Sequence, residues 1–180
     1  MGARCSKPPR ARRNFVRRFL PDLADETGSE VVEFGLVLLP LMAFVFLIID
    51  VAWLCFAQES LQYAVETGVR AAVTSYVPGG FTGQDAYIKS IVQQNAMGFL
   101  SGQTGLNEIS VNYYSPSNLS TPLIGSGSNA GGNVIEISVQ GVTVNMLGPI
   151  FFGQSWSNLT MNANSSDVME SSPGATPPLR

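Results

Sequence analysis

Thirteen carboxylates are the commonest groups in this chain able to do acid–base chemistry, and their placement does not suit it. Asp85, Glu108, Glu136, Asp167 and Glu170 are scattered, with no paired spacing, nucleophile motif or glycine-rich phosphate loop around them. Histidine is absent, which excludes imidazole general bases, histidine-containing triads and histidine-ligated metal sites. Cys5 and Cys55 stand in segments too different in character to meet, so there is no disulfide framework. These residues read as a protein that is not an enzyme and needs no cofactor. Two carboxylates stand out for another reason: Glu33 lies at the mouth of a long apolar run, and Asp50 lies inside it.

That run is what must position them. Residues 34–57 read FGLVLLPLMAFVFLIIDVAWLCFA, with a single charge. At about 1.5 Å per residue they exceed a hydrocarbon core of roughly 30 Å. A buried core helix of the same composition needs a surrounding core that the polar remainder of this chain cannot supply. Arg4, Lys7, Arg10, Arg12, Arg13, Arg17 and Arg18 precede the run, whereas three basic and ten acidic side chains follow residue 28. Lys and Arg stay cytoplasmic, so residues 1–28 form a basic cytoplasmic leader and the C-terminal part lies outside a bilayer spanned once. The charge asymmetry sets topology and does not mark a nucleic-acid partner. Trp53, near the outer end, suits the headgroup region. Arg12-Arg13 resembles a twin-arginine export signal, but Asp22, Asp25, Glu26, Glu30 and Glu33 intervene and the run is too apolar for one.

Leu61, Ala64, Val65, Gly68, Val69, Ala72, Val73 and Tyr76 continue an apolar stripe at three- and four-residue spacing. The spacing predicts that residues 29–77 form one transmembrane and spine helix, on the order of 70 Å long, stopped by Pro78-Gly79-Gly80. Pro40 removes a helical hydrogen bond, and Asp50 costs at least roughly 2.5 kcal/mol in lipid unless it finds a partner. With no second ionisable group nearby to relay a proton, Asp50 reads as an intramembrane helix contact, the alternative being a protonated acid hydrogen-bonded within its own helix. Pro40, assigned to the same contact, reads equally as a tolerated kink or a functional hinge.

The junction Glu26-Thr27-Gly28-Ser29-Glu30-Val31-Val32-Glu33-Phe34 sets a carboxylate five positions after a glycine, directly ahead of the apolar run. This resembles the processing site of class III signal peptides. The resemblance implies that a prepilin peptidase cuts between Gly28 and Ser29, leaving the helix on the mature protein. It also implies that Glu33, followed by Phe34, sets assembly register by pairing with a neighbouring subunit's new amine. Glycine leaves the backbone unhindered for such a cut. The longer string, with Val32-Glu33-Phe34, Pro40, Asp50, Leu61, Ala64 and Arg70-Ala71-Ala72, resembles the N-terminal signature of the TadE-like family. The related TadF and TadG groups share this pattern. The resemblance implies a minor pseudopilin of a tight-adherence (Flp) pilus system, held in the bacterial inner membrane, with pilin-like subunits, pilus assembly machinery and the lipid bilayer as partners. The competing reading is an unprocessed single-pass anchor presenting an envelope-binding domain.

Residues 78–170 read as a small extracytoplasmic α+β domain. Tyr87, Ile88, Ile91, Val92, Ala96, Phe99 and Leu100 mark a second amphipathic helix, with Thr82 and Asp85 spaced as a capping box and Gly102 just beyond. Ile109, Val111 and Tyr113 alternate like a strand, as do Ile135, Ile137 and Val139. The second alternation shifts phase at Gly141 to Val142 and Val144, which predicts a bulge or turn there. Leu159, Met161 and Ala163 suggest a third strand of an antiparallel sheet. Residues 115–133, rich in Ser, Gly, Asn and Pro, read as an exposed loop, and residues 171–180 as a disordered tail.

Overall fold

A computed structural model of the protein describes residues 26–146, 158–172 and 176–180. Most of the basic leader therefore falls outside the described residues. The chain forms two compact units, residues 1–43 and 44–180, so the division lies within the first helix and not after it. The described elements are α1 (Glu26–Val73), α2 (Gln84–Asn95), α3 (Gly102–Glu108), β1 (Ile109–Ser115), β2 (Asn118–Pro122), β3 (Val134–Asn145) and β4 (Asn158–Val168). The fold is α+β, as the periodicities predict: an apolar N-terminal helix, then further helices and a four-stranded antiparallel sheet.

In the first unit the described side chains lie on α1, and Val31, Val32, Phe34, Leu36, Val37, Leu39 and Leu41 are all exposed. Among the described residues α1 is the one helix long and apolar enough to cross a membrane, and none of its most apolar stretch is buried. The core helix of a soluble protein would be mostly covered, so α1 is consistent with a single-pass membrane protein.

In the second unit α1 becomes a packing helix. Ala57, Leu61, Ala64, Val65, Val69 and Ala72 are buried at three- and four-residue spacing, as expected of the stripe. Gly68 marks the closest approach: a Cβ there would lie 2.5 Å from Val92 Cγ2 of α2 and 3.3 Å from Ile137 Cδ1 of β3. Tyr76, expected to extend the stripe, is exposed because α1 stops at Val73. Ser75 turns into the left-handed region, and its amide bonds to the Ala72 carbonyl, well before the Pro-Gly-Gly stop. The predicted capping box is also absent. Gly83 occupies the N-cap of α2 with no side-chain cap, and Asp85 is engaged elsewhere.

The strand order is β2-β1-β3-β4. The alternating apolar residues of β1, β3 and β4 form one buried face, with Ile109, Tyr113, Ile135, Ile137, Val139, Val142, Val144, Met161 and Ala163 in the core. The phase shift at Gly141 is a bulge: Val139 pairs with Ala163 and Val142 with Met161, one extra residue on β3. Gly141 takes φ 85° there, and its amide bonds to Asn162 Oδ1 at 3.0 Å. The loop expected over 115–133 is partly a strand. Ser115 pairs with Asn118, so a two-residue turn returns β2 along β1, with Asn118 Oδ1 accepting from the Ser120 amide. Short polar turns of this kind leave little hydrophobic signal, and all five residues of β2 are exposed. The free edge of β4 is met by α1, where Gln58 Nε2 donates to the Asn162 carbonyl at 3.1 Å and Gln62 Nε2 to the Asn164 carbonyl at 3.3 Å. These amides occupy carbonyls that would otherwise template a further strand.

Candidate functional site

The residues singled out at the junction share the first turns of α1. The Gly28–Ser29 peptide lies in the opening turn, where helical amides have no intrahelical acceptor and the backbone unwinds at least cost. Gly28 has a φ that any residue adopts, and a Cβ placed on it meets nothing within 4 Å. Neither packing nor conformation of this chain requires glycine at that position. Ser29 Oγ donates to Glu33 Oε1 at 3.4 Å, one turn on, and Glu33 and Phe34 are both exposed. The opening of the helix thus presents an unhindered peptide bond, a carboxylate and an aromatic ring to its surroundings.

Pro40 is exposed within α1 and lacks the amide that would bond to the Leu36 carbonyl. Asp50 belongs to the second unit and differs from its surroundings. It is 7% exposed, whereas Ile49 and Val51 beside it are 43% and 52% exposed. It also makes an interaction within the chain. A carboxyl at that position thus has a partner before a second subunit is considered.

A polar cluster that periodicity could not disclose lies in the second unit. Tyr113 Oη donates to Asp85 Oδ1 at 2.8 Å, and Arg180 pairs with Asp85 Oδ2 at 3.2 Å with its guanidinium 4.6 Å from the Tyr113 ring centroid. Burial pushes the Tyr113 phenol well above its ordinary value; the Asp85 charge and hydrogen bond add to the rise, and Arg180 opposes it. A phenol so raised stays neutral at physiological pH and is a poor acid or base. Gln84, fully buried, donates to the Ala72 carbonyl at 2.9 Å and accepts from Asn129 Nδ2 at 2.6 Å. Asn129 also donates to the Pro178 carbonyl, and the Gln84 amide to that of Leu179. Residues 178–180, expected to be part of a disordered tail, are therefore held on the body of the unit. The signal that composition misses is the terminal Arg180, a lone cation in an acidic region. This arrangement fastens elements together and brings no nucleophile to a base. Among the described residues no group of three or more His, Cys, Asp or Glu side chains could hold a metal ion.

A third grouping joins Trp53 and Phe56 of α1 to Phe99, which follows α2. Spacing does not disclose it, because Phe99 lies more than forty residues from Trp53 and Phe56.

Comparison with curated proteins and with solved structures gave no match. Residues 28–70 match the family model described as TadE-like protein, beginning at Gly28 and taking in Glu33, Phe34, Pro40, Asp50 and Arg70. From Gly28 through the packing half of α1, then, this chain carries a TadE-like segment, which points to a Tad pilus-associated protein.

Proposed function

We propose that the protein is a non-enzymatic, pilin-like subunit, a minor pseudopilin that helps assemble a tight-adherence (Flp) pilus. A prepilin peptidase cuts between Gly28 and Ser29, on the cytoplasmic side of the bacterial inner membrane. The observation that carries this reading is Gly28 itself. It stands five residues before Glu33 at the opening of an exposed apolar helix, and the fold makes no demand for glycine there. Glycine inside a helix costs roughly 0.5–1 kcal/mol relative to alanine, so a requirement for it comes from outside the chain. A peptidase that must close on the backbone supplies that requirement.

Once cut, the chain begins at Ser29, whose new amine lies one turn from the Glu33 carboxylate. Glu33 is then placed to pair with an amine across a subunit contact and set register, with Phe34 packing beside it. The exposed apolar face carrying Phe34 and Leu41 is the surface offered to lipid and to other pilin-like helices. Pro40 lies within this stretch, open to a neighbouring helix.

The test is N-terminal sequencing of the membrane-inserted protein from cells with and without the peptidase, alongside Gly28→Ala. A mature start at Ser29, lost in the variant and in the peptidase-deficient cells, is expected. An intact Met1 in cells with active peptidase refutes the proposal and leaves a permanent anchor.

A further inference from the structure

Trp53 and Phe56 stack with centroids 5.8 Å apart, and Phe99 lies 5.7 Å from Trp53 and 6.3 Å from Phe56. Ile49, Ala52, Trp53 and Phe56 line an open apolar hollow on this stretch of α1, one residue before burial begins at Ala57. Counted from Phe34, about 20 helical residues traverse a hydrocarbon core of roughly 30 Å, which brings the chain to Trp53. Phe99 therefore stands at headgroup depth, and it reaches there from the turn between α2 and α3.

That turn has the properties a bilayer surface demands. Residues 90–107 carry no charge. Several of the turn's carbonyls are occupied internally: Gln93 Nε2 donates to Leu100 at 2.8 Å and to Gly102 at 2.9 Å, the Phe99 amide to Ala96 at 2.9 Å, and Ser101 Oγ to Gly98 at 2.6 Å. Backbone placed near hydrocarbon is tolerated when its polar groups are satisfied in this way. Met97, in the left-handed region at φ 50°, leaves its side chain 66% exposed.

The geometry points to a second membrane contact: the 96–102 turn, with Met97 exposed and Phe99 beside Trp53, seats the second unit directly on the lipid headgroups. The occupant of this apolar surface is lipid, because within the second unit Phe99 adjoins Trp53 and Phe56, which close the run of exposed apolar residues that α1 carries from Phe44 onward. The inference rests on α1 spanning the bilayer.

The test uses the full chain with Cys5→Ser and Cys55→Ser, reconstituted in phosphatidylcholine–phosphatidylglycerol vesicles, with single cysteines introduced by Met97→Cys, Leu36→Cys or Ile124→Cys and an environment-sensitive fluorophore attached. Met97 is exposed, so the label does not disturb packing. Position 36 reports the span, and position 124, where Ile124 is 94% exposed, reports water. The expected result is that the label at 97 shifts to the blue relative to 124, is quenched severalfold more by a nitroxide near the headgroup, and resists iodide. A label at 97 that iodide reaches as freely as at 124, while position 36 is quenched by lipid, overturns this inference and leaves the span intact. No lipid quenching at either 97 or 36 overturns the membrane reading itself. Protection at 97 from both quenchers that disappears on dilution in lipid assigns the surface to a second copy, and likewise overturns the inference.

Discussion

Gly68→Ala tests the packing of α1 as the spine of the second unit. A Cβ at this position would lie 2.5 Å from Val92 Cγ2 and 3.3 Å from Ile137 Cδ1. Relief of the first contact requires a retreat of about 0.9 Å before ordinary van der Waals separation is regained. Val92 is fully buried on α2, and its β-branched side chain has essentially one helical rotamer, so it yields only by moving backbone. Overpacking of this kind costs roughly 1–3 kcal/mol, and the gain in helix propensity returns at most about 1 kcal/mol. A 2.5 Å contact places the cost in the upper part of that range, so the expected net loss is about 1–2 kcal/mol, read as a lower denaturation midpoint in detergent micelles by a tertiary-structure signal. Val92→Ala alone leaves a cavity. Combined with Gly68→Ala, the new methyl enters that cavity, so the double variant is less destabilised than the sum of the singles, by roughly 0.5 kcal/mol or more. Gly28→Ala, whose Cβ meets nothing, serves as the control and leaves the midpoint unchanged or slightly raised. Unaltered or increased stability of Gly68→Ala, or strictly additive behaviour with Val92→Ala, refutes the close approach of α1, α2 and β3 at this residue.

Other positions give independent checks. Because the Tyr113 phenol is raised in the folded state, its contribution is complete below the ordinary value of 10 and declines as pH rises above it, where the unfolded chain ionises first. Stability is therefore expected to fall above about pH 10 in the native protein, and less steeply in Tyr113→Phe, as measured by denaturant titration across that range. At neutral pH the same variant loses about 1–2 kcal/mol with its hydrogen bond to Asp85. Gln84→Leu removes one of the two donors to the buried Ala72 carbonyl, which keeps the Ser75 amide, and one of the two acceptors of Asn129 Nδ2, whose own Oδ1 has no hydrogen-bond partner among the described residues, and should cost about 1–2 kcal/mol. Limited proteolysis near residue 180 would follow the release of the tail. Gly141→Ala forces an L side chain into the left-handed bulge at a cost of about 1–2 kcal/mol, detectable as faster amide exchange along β3 and β4.

Periodicity and local chemistry account for the features of this protein that are legible along the chain. The long apolar run gives a helix of a length and composition consistent with a membrane span, and the stripe from Leu61 to Ala72 gives its packing face. The alternation in Ile109–Ser115 and Val134–Asn145 gives two strands, and the phase shift at Gly141 gives the bulge. The order of residues from Gly28 to Phe34 supports the processing proposal, because a peptidase reads consecutive residues and needs no tertiary context. Tertiary structure alone decided which polar residues meet. Asp85, spaced to cap a helix, instead holds Tyr113 twenty-eight positions away and Arg180 ninety-five positions away. Gln58 and Gln62 of α1 satisfy the edge of a strand about a hundred residues later. Phe99, which reads as part of an amphipathic helix, lies past its end and joins Trp53. Hydrophobic burial is set by a repeat within one element, so it can be read along the chain. A hydrogen bond or ion pair between distant residues depends on where the closed fold brings two atoms within about 3 Å, and no local pattern carries that information.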